Sequence, residues 1–447
     1  MAEQTLAFRS AWDQNLSGIE AILMSAAVVA VPFQNMDFQA GRLAVAGAQL
    51  SFFPLLGLLL ISPVRIAAAW GGNARDRRLV AVIGAFFLLV TLSSLMTVAA
   101  LGTQGLAWPL LVHKYFSQTI LYAVWLVAIF GVKVDRRLRW AFVAAFVIAC
   151  LGAVLSIHSP MFNEASHSAF LYAKNLNLRP RGFSREASDL ALTIGCLGGI
   201  LYLWSAPRVR WVILGVTTLL LAAIQSKGAA AAWLLAVAVA FCFRWIRGKD
   251  RPAVLAELLA VGLPLLGYYV YLVSAHSSAG PSGIGHGVGR YVAAVAQGST
   301  TVGTRLTMAA FSLGTLLHAP LGVGFLGLLP WVHAFLPRVI RVVSGMFPWF
   351  QYSEVISYSV STSGAFVSAK SLLFNGFILA GLPFLVLNLV VWWRFVRWVL
   401  KEGAAEILIP LAFALVSYAA YSGIESSYAP AFALSLTYFY VRGRSGQ

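Results

Sequence analysis

Apolar runs of about 17 to 25 residues, the length that carries a helix across a hydrocarbon core, recur along this chain. Short segments separate them, and the few charged residues collect there. The runs lie near 17–33, 43–62, 79–101, 109–131, 139–157, 187–204, 211–225, 228–246, 253–273, 371–393, 404–421 and 425–441. The seventh is short and abuts the eighth at "QSKG". Backbone N–H and C=O groups in lipid must be paired within their own segment, so each run predicts a helix. The pattern therefore predicts an all-α polytopic membrane protein with about twelve transmembrane helices.

The charges between the runs set an orientation. Clusters such as "RDRR" at 75–78, "KVDRRLR" at 133–139, "RWIRGKDR" at 244–251 and "RFVRWVLK" at 394–401 all fall on one side if both termini are cytoplasmic. Lysine and arginine concentrate in cytoplasmic loops, so this side is read as the inner one. Much of the formal net charge of +17 is then topology and calls for no nucleic-acid partner. Two outer segments are long, 158–186 and 274–370, and the second is read as a large periplasmic loop with short helices between spans 9 and 10.

That loop is basic on the face where basic residues are normally depleted. It carries Arg290, Arg305, Arg338, Arg341 and Lys370 against one acid, Glu354. Lys174, Arg179, Arg181, Arg185 and Lys227 map to the same side, as do all seven histidines. Two readings stand: scattered contacts with lipid headgroups, or an anion site in which arginines grip phosphate oxygens bidentately.

Composition narrows the field further. The chain is 60% hydrophobic and 11% charged, with a mean hydropathy of +0.81, which excludes an ordinary soluble domain. Cys150, Cys196 and Cys242 are widely spaced within apolar runs and form neither a disulfide framework nor a metal motif. The start of the chain lacks a cleavable signal pattern, so the N-terminus is expected to be retained. Glu20, Glu257 and Glu425 fall near span ends, which counts against an ion-coupled carrier with midplane carboxylates. The histidines lack metal-ligand spacing, and no metal or cofactor is expected. "GPSGIGHGVG" at 280–289 has no strand before it and no Lys-Ser/Thr after it, so it is read as a flexible loop and not a nucleotide cradle. The aromatic clusters "PWVHAF" and "FPWFQY" fit an interfacial belt, with sugar stacking as the alternative.

Four local patterns resemble the bacterial O-antigen polymerase and O-antigen ligase superfamily. "RPRGFSREASDLA" at 179–191 is similar to its arginine, glycine, phenylalanine, Glu-Pro-Ser pattern, with Ala187 where proline is usual. "QSKGAAAAWLLA" at 225–236 resembles the Ser-Arg-Gly turn between two short helices, with Lys227 for the arginine. "TRLTMAAFSLGTLLHAPLGVGFLG" at 304–327 resembles the arginine-headed helix followed by a proline and a Gly-x-Gly turn. "AKSLLFNGFILAGLPFL" at 369–385 resembles the approach to a late span, with Lys370 where ligases tend to carry histidine. Together the patterns cover roughly residues 170–390.

The resemblance implies a GT-C-like glycosyltransferase of the bacterial inner membrane. Such an enzyme moves a glycan from undecaprenyl pyrophosphate to an acceptor hydroxyl on the periplasmic face, without a metal ion. Departure of the lipid pyrophosphate builds negative charge that positioned cations stabilise most in the transition state. Arg305 and Lys227 are expected in that role, with interfacial anchoring as the structural alternative. Glu186 is the first candidate base, expected in the first turn of the sixth span with Ser184 as its cap and Asp189 on the same face. Acids in a first turn also favour the helix dipole, and Arg185 can pair with Asp189, so that role stays open. Glu354 is the alternative base. Arg179, Arg181, Arg185, Arg290, Arg338, Arg341, Lys370 and His333 are expected to meet the pyrophosphate or the glycan.

Three functions remain. The first is polymerisation of lipid-linked oligosaccharide repeats, toward which Lys370 tilts the reading. The second is ligation of a finished glycan to lipid A core. The third is a flippase or exporter of lipid-linked glycan, whose cations should line a cavity reaching both leaflets. The sugars, the linkage and the involvement of a chain-length regulator are left open.

Overall fold

The computed structural model describes residues 18–33, 54, 57–58, 60, 74–102, 136–159, 162, 180, 182–184, 187–224, 226–246, 255–256, 258–263, 300–360, 367, 369, 371–402 and 407–420. Among the described residues every regular element is helical. In chain order they are α1 (Gly18–Val29, closed by a 3₁₀ turn at Val31–Phe33), α2 (Ala74–Leu101), α3 (Arg136–His158) and α4 (Ala187–Trp204). There follow α5 (Pro207–Ala223), α6 (Lys227–Ile246), α7 (Thr300–His318) and α8 (Gly324–Met346). The last three are α9 (Ser353–Ser359), α10 (Leu372–Glu402) and α11 (Leu408–Ala420).

Six of these hold stretches long and apolar enough to cross a membrane: Gly84–Leu101, Arg136–His158, Ala187–Trp204, Gly228–Ile246, Gly324–Met346 and Leu373–Val390. Five coincide with expected spans. The sixth, α8, lies inside the segment read as the outer loop, which also contains the 19-residue α7. The expected spans 109–131 and 425–441 lie outside the described residues, and 43–62 and 253–273 are represented by fragments.

The helices bury their apolar surface in two clusters. The first joins α1, α3, α4, α5, α6 and α11. Its centre is α4, whose residues from Leu190 to Leu203 are all buried. Small residues allow this: added methyl groups at Gly195, Gly198 and Gly199 would meet Phe413, Thr217 and Pro410. Where lipid offers no hydrophobic drive between helices, such close backbone approach is what packs them. Arg139 lies over the Trp204 ring at 6.0 Å and Arg210 over Tyr202 at 5.6 Å. The first turns of α3 and α5 and the last turn of α4 therefore share one end, as the alternating basic segments predict.

The second cluster joins α2, α7, α8, α9 and α10. Here α7 and α8 form an antiparallel hairpin, with Phe335 against Phe311 and His318 at ring separations of 5.8 and 5.1 Å. Trp331 Nε1 donates to Thr315 Oγ1 at 2.9 Å, and Thr315 donates in turn to the Phe311 carbonyl at 2.8 Å. The α5–α6 hairpin repeats this relay through Trp233, Thr218 and the Leu214 carbonyl. In both, the indole N–H that would be orphaned in an apolar core has a hydroxyl partner.

The hairpin turn at Ala319–Val323 is wedged into a break in α10. A continuous helix would bond Leu382 N–H to the Ile378 carbonyl. Here Leu382 N donates to the Pro320 carbonyl at 2.7 Å, and Ile378 accepts from Val323 N at 2.8 Å. Gly381 makes the break possible with φ 56° and ψ −139°, a region closed to side-chain-bearing residues. A methyl group there would strike the Pro320 carbonyl, and one at Gly322 (φ 78°) would strike the Leu379 carbonyl. On the other flank Ser93 donates to the Leu321 carbonyl at 3.1 Å, and Ser94 accepts from Leu326 N at 3.3 Å. Two backbone groups freed inside an apolar core, each costing about 1–3 kcal/mol if left unpaired, are thus re-paired by a third segment.

Gly381→Ala is expected to lower thermal stability by well over 1 kcal/mol, since backbone strain and the collision with Pro320 add. Gly84→Ala and Gly345→Ala, with nothing within 4 Å of the added methyl, should be neutral or gain about 0.5–1 kcal/mol of helix propensity. Thermal unfolding of the three variants in detergent checks the contrast.

Candidate active site

The polar end of the second cluster is where loop residues expected to act on substrate come together. Gly303 allows it: a methyl group there would strike the Gln351 carbonyl oxygen, so the start of α7 lies directly on the connection that leads into α9. The next two residues are Thr304 and Arg305. Thr304 is buried and its hydroxyl donates to Glu354 Oε2 at 3.0 Å. Tyr358, four residues on from Glu354 and only 2% exposed, donates to Oε1 at 2.8 Å. Both carboxylate oxygens of Glu354 therefore accept a hydroxyl, and the group is held in one orientation while the residue stays half-buried. Arg305 stands beside Thr304 in the second turn of α7, half-buried, with its Nε inside the protein. Thr304, the residue before Arg305 in the chain, thus ties α7 to the fixed carboxylate on α9.

The connection Phe347–Tyr352 is itself fastened. Tyr352 donates its hydroxyl to the Phe347 carbonyl at 2.7 Å and the Val343 carbonyl at 3.3 Å, which caps the exposed end of α8. Burial raises the Tyr352 hydroxyl above the ordinary tyrosine value, so it remains a donor. Phe347, Trp349 and Phe350 pack on one another at centroid distances of 5.7 to 6.2 Å. The cluster read from "FPWFQY" is thus partly internal packing, with Trp349 left exposed.

The other expected residues are dispersed. Arg338 and Arg341 are exposed on the far half of α8, and His333 is half-buried midway along it. Lys227 heads α6, in the first cluster, and its side chain is outside the described set, as are Glu186, Arg179, Arg181, Arg185, Arg290 and Lys370. The frame around the "RPRGFSRE" segment is described. Gly182 has φ 58° and backs onto Gly152 of α3, its N–H donates to Ser156 Oγ at 2.8 Å, and Phe183 lies between Phe33 and Phe162. Ser184, expected to cap the sixth span, instead donates its hydroxyl to the Pro32 carbonyl at 3.3 Å. The helix starts at Ala187 and carries Asp189 in its first turn.

Sequence reading missed Thr304 and Tyr358. The signal for Tyr358 was present as the i,i+4 spacing in "SEVISY", which brings two side chains together only if the segment is helical. Among the described residues no group of three or more His, Cys, Asp or Glu could hold a metal ion.

No family model matches the chain. A protein of Klebsiella pneumoniae described as "Uncharacterized 49.5 kDa protein in cps region" is 30% identical over 232 residues, 51% of this chain and 48% of the relative. The chain thus spans about half the length of the curated relative it matches.

Removal of the Tyr352 proton should loosen the α8 cap. Its raised value means that its contribution to stability is complete below the ordinary tyrosine value near 10 and is lost as pH rises through the folded value. The wild type should therefore lose more thermal stability than Tyr352→Phe as pH is raised above about 10, measured by unfolding midpoints of both proteins.

Proposed function

We propose that this chain is a membrane glycosyltransferase that polymerises undecaprenyl-pyrophosphate-linked oligosaccharide repeats on the periplasmic face of the inner membrane. The observation that carries the reading is Glu354, a carboxylate oriented by the hydroxyls of Thr304 and Tyr358, with Arg305 next to Thr304 in the chain. The order of the four family-like patterns supports it, as does similarity to a protein from a cps region, which hints at a role in polysaccharide biosynthesis.

The reaction follows from these parts. The acceptor hydroxyl of one repeat attacks the anomeric carbon of the donor glycan, forming the new C–O bond as the bond to the pyrophosphate oxygen breaks. The bonding pair leaves with the lipid pyrophosphate, whose developing charge Arg305 stabilises, with Lys227 and the outer arginines as further candidates. The hydroxyl proton passes to a carboxylate. Glu354 is preferred over Glu186 for that step, because two hydroxyl donors already aim it. Transfer to lipid A core is the alternative acceptor chemistry for the same site, and lipid-linked glycan export is the alternative without chemistry.

Purified protein incubated with lipid-pyrophosphate-linked repeats alone should produce a ladder of products. Product only after lipid A core is added would assign ligation instead, and no product in either case would favour transport. Arg305→Ala should lower ladder formation by roughly 10²–10³-fold, the usual loss for one transition-state donor, while membrane insertion stays normal. Glu354→Gln should slow extension comparably and flatten the acidic limb of its pH profile.

A further inference from the structure

The hairpin α7–α8 starts and ends on one side of the molecule, yet its turn is wedged between α2 and α10, with Gly322 and Val323 buried. Two helices measure how deep that turn lies. α2 rises from the basic segment 63–78 and ends at Leu101, and it meets the turn through Ser93 and Ser94. Eight residues of helix separate Ser93 from Leu101, about 12 Å at 1.5 Å per residue. α10 starts at Leu372 and meets the turn at Gly381, nine residues on, or about 14 Å. The two depths agree although they come from helices of opposite chain direction. α8 runs parallel to α2, Gly324 against Ser94 and Gly327 against Thr97. Its 23 residues, about 34 Å long, begin below the end of α2 and must project beyond it.

We propose that α7–α8 is a re-entrant hairpin whose tip is immersed in the outer leaflet, with Leu313, Leu317 and Leu321 in contact with lipid acyl chains. These three side chains are 50%, 80% and 50% exposed. Leu92, Leu95 and Met96 on α2 and Leu382 and Val386 on α10, the two helices that flank the turn, are exposed as well. Water on this surface would leave a larger apolar patch than soluble faces carry, whereas acyl chains complete it. Between Arg305 and Arg338 the hairpin carries no charged residue, only His318, whose ring stacks on Phe335, and His333. By the same rise per residue, Arg305 and Arg338 stand about 20 Å above the tip, beyond the ends of the flanking helices and level with phosphate headgroups. α8 thus has the composition of a span but only part of it lies at membrane depth. This inference is independent of the proposed transferase chemistry.

The test is quenching of a fluorophore attached at single added cysteines in the full-length protein in lipid nanodiscs, with Cys242→Ser as the parent and its background subtracted. Leu313→Cys, Leu317→Cys and Leu321→Cys probe the hairpin, and Gly345→Cys probes the projecting end of α8. The hairpin probes should be quenched severalfold more by acyl-chain spin-labelled lipid than by aqueous iodide, and the Gly345 probe should show the reverse. Iodide quenching at Leu317 and Leu321 equal to that at Gly345 would place the tip in water and overturn the proposal. Protection from both quenchers would place protein, such as a second copy of the chain, on this face and overturn it equally.

Discussion

One exchanged hydrogen bond organises the second half of this protein. The Ile378–Leu382 bond of α10 is absent, and each of its halves is bonded instead to the turn between α7 and α8. Such an exchange has a strict steric requirement, because the inserted backbone must come within contact distance of the interrupted one. Glycines at 322 and 381 meet it from opposite sides, and Gly324 lets the same turn close onto α2. Around this three-way junction the remaining packing follows. α7 and α8 pair through Trp331 and Phe335, α10 continues past the break with Pro383 just beyond it, and α9 closes the open end.

The candidate site depends on that junction at a distance. With its far end pinned at the turn, α7 presents Gly303, Thr304 and Arg305 at a defined position on the α8–α9 connection. The connection in turn is held by Tyr352 on the last carbonyls of α8. Glu354 is therefore placed by elements anchored at both ends, which fixes the orientation of its carboxylate. The first cluster supplies a second scaffold of different character. There α4 is enclosed by helices brought close through Gly195, Gly198 and Gly199, and before its first turn Gly182 packs on Gly152 and Leu190 while Phe183 packs on Phe33.

Helical secondary structure and membrane character were legible because both depend on local quantities, run length and hydropathy. The described spans α2, α3, α4, α6 and α10 lie where the apolar runs predict them. The Gly-x-Gly turn after the Arg305 helix was legible as well, since a proline and two glycines punctuate the chain there, but the helix begins at Thr300, so Arg305 lies in its second turn and not at its head. Less of the site could be read. Glu354 stood out as a lone acid among cations, but Thr304 and Tyr358 are ordinary residues until two helices cross. Ser184 shows the converse: its position before α4 suggested a cap, and a carbonyl 152 residues away receives its hydroxyl instead.

Local pattern is enough to make the chain a bundle of apolar helices with its charges gathered between them, because burying charge in lipid is costly at every position. It also supplied the glycines without which α10 could not break. Tertiary packing alone makes the turn at Pro320–Val323 the partner of Gly381, and it starts the span-like α8 alongside Ser94, seven residues before the end of α2. The same packing brings the Glu354 carboxylate to the hydroxyls of Thr304 and Tyr358. Each of these is a contact between segments distant in the chain, set by which surfaces can approach closely enough to pair their buried polar groups, and no local pattern carries that information.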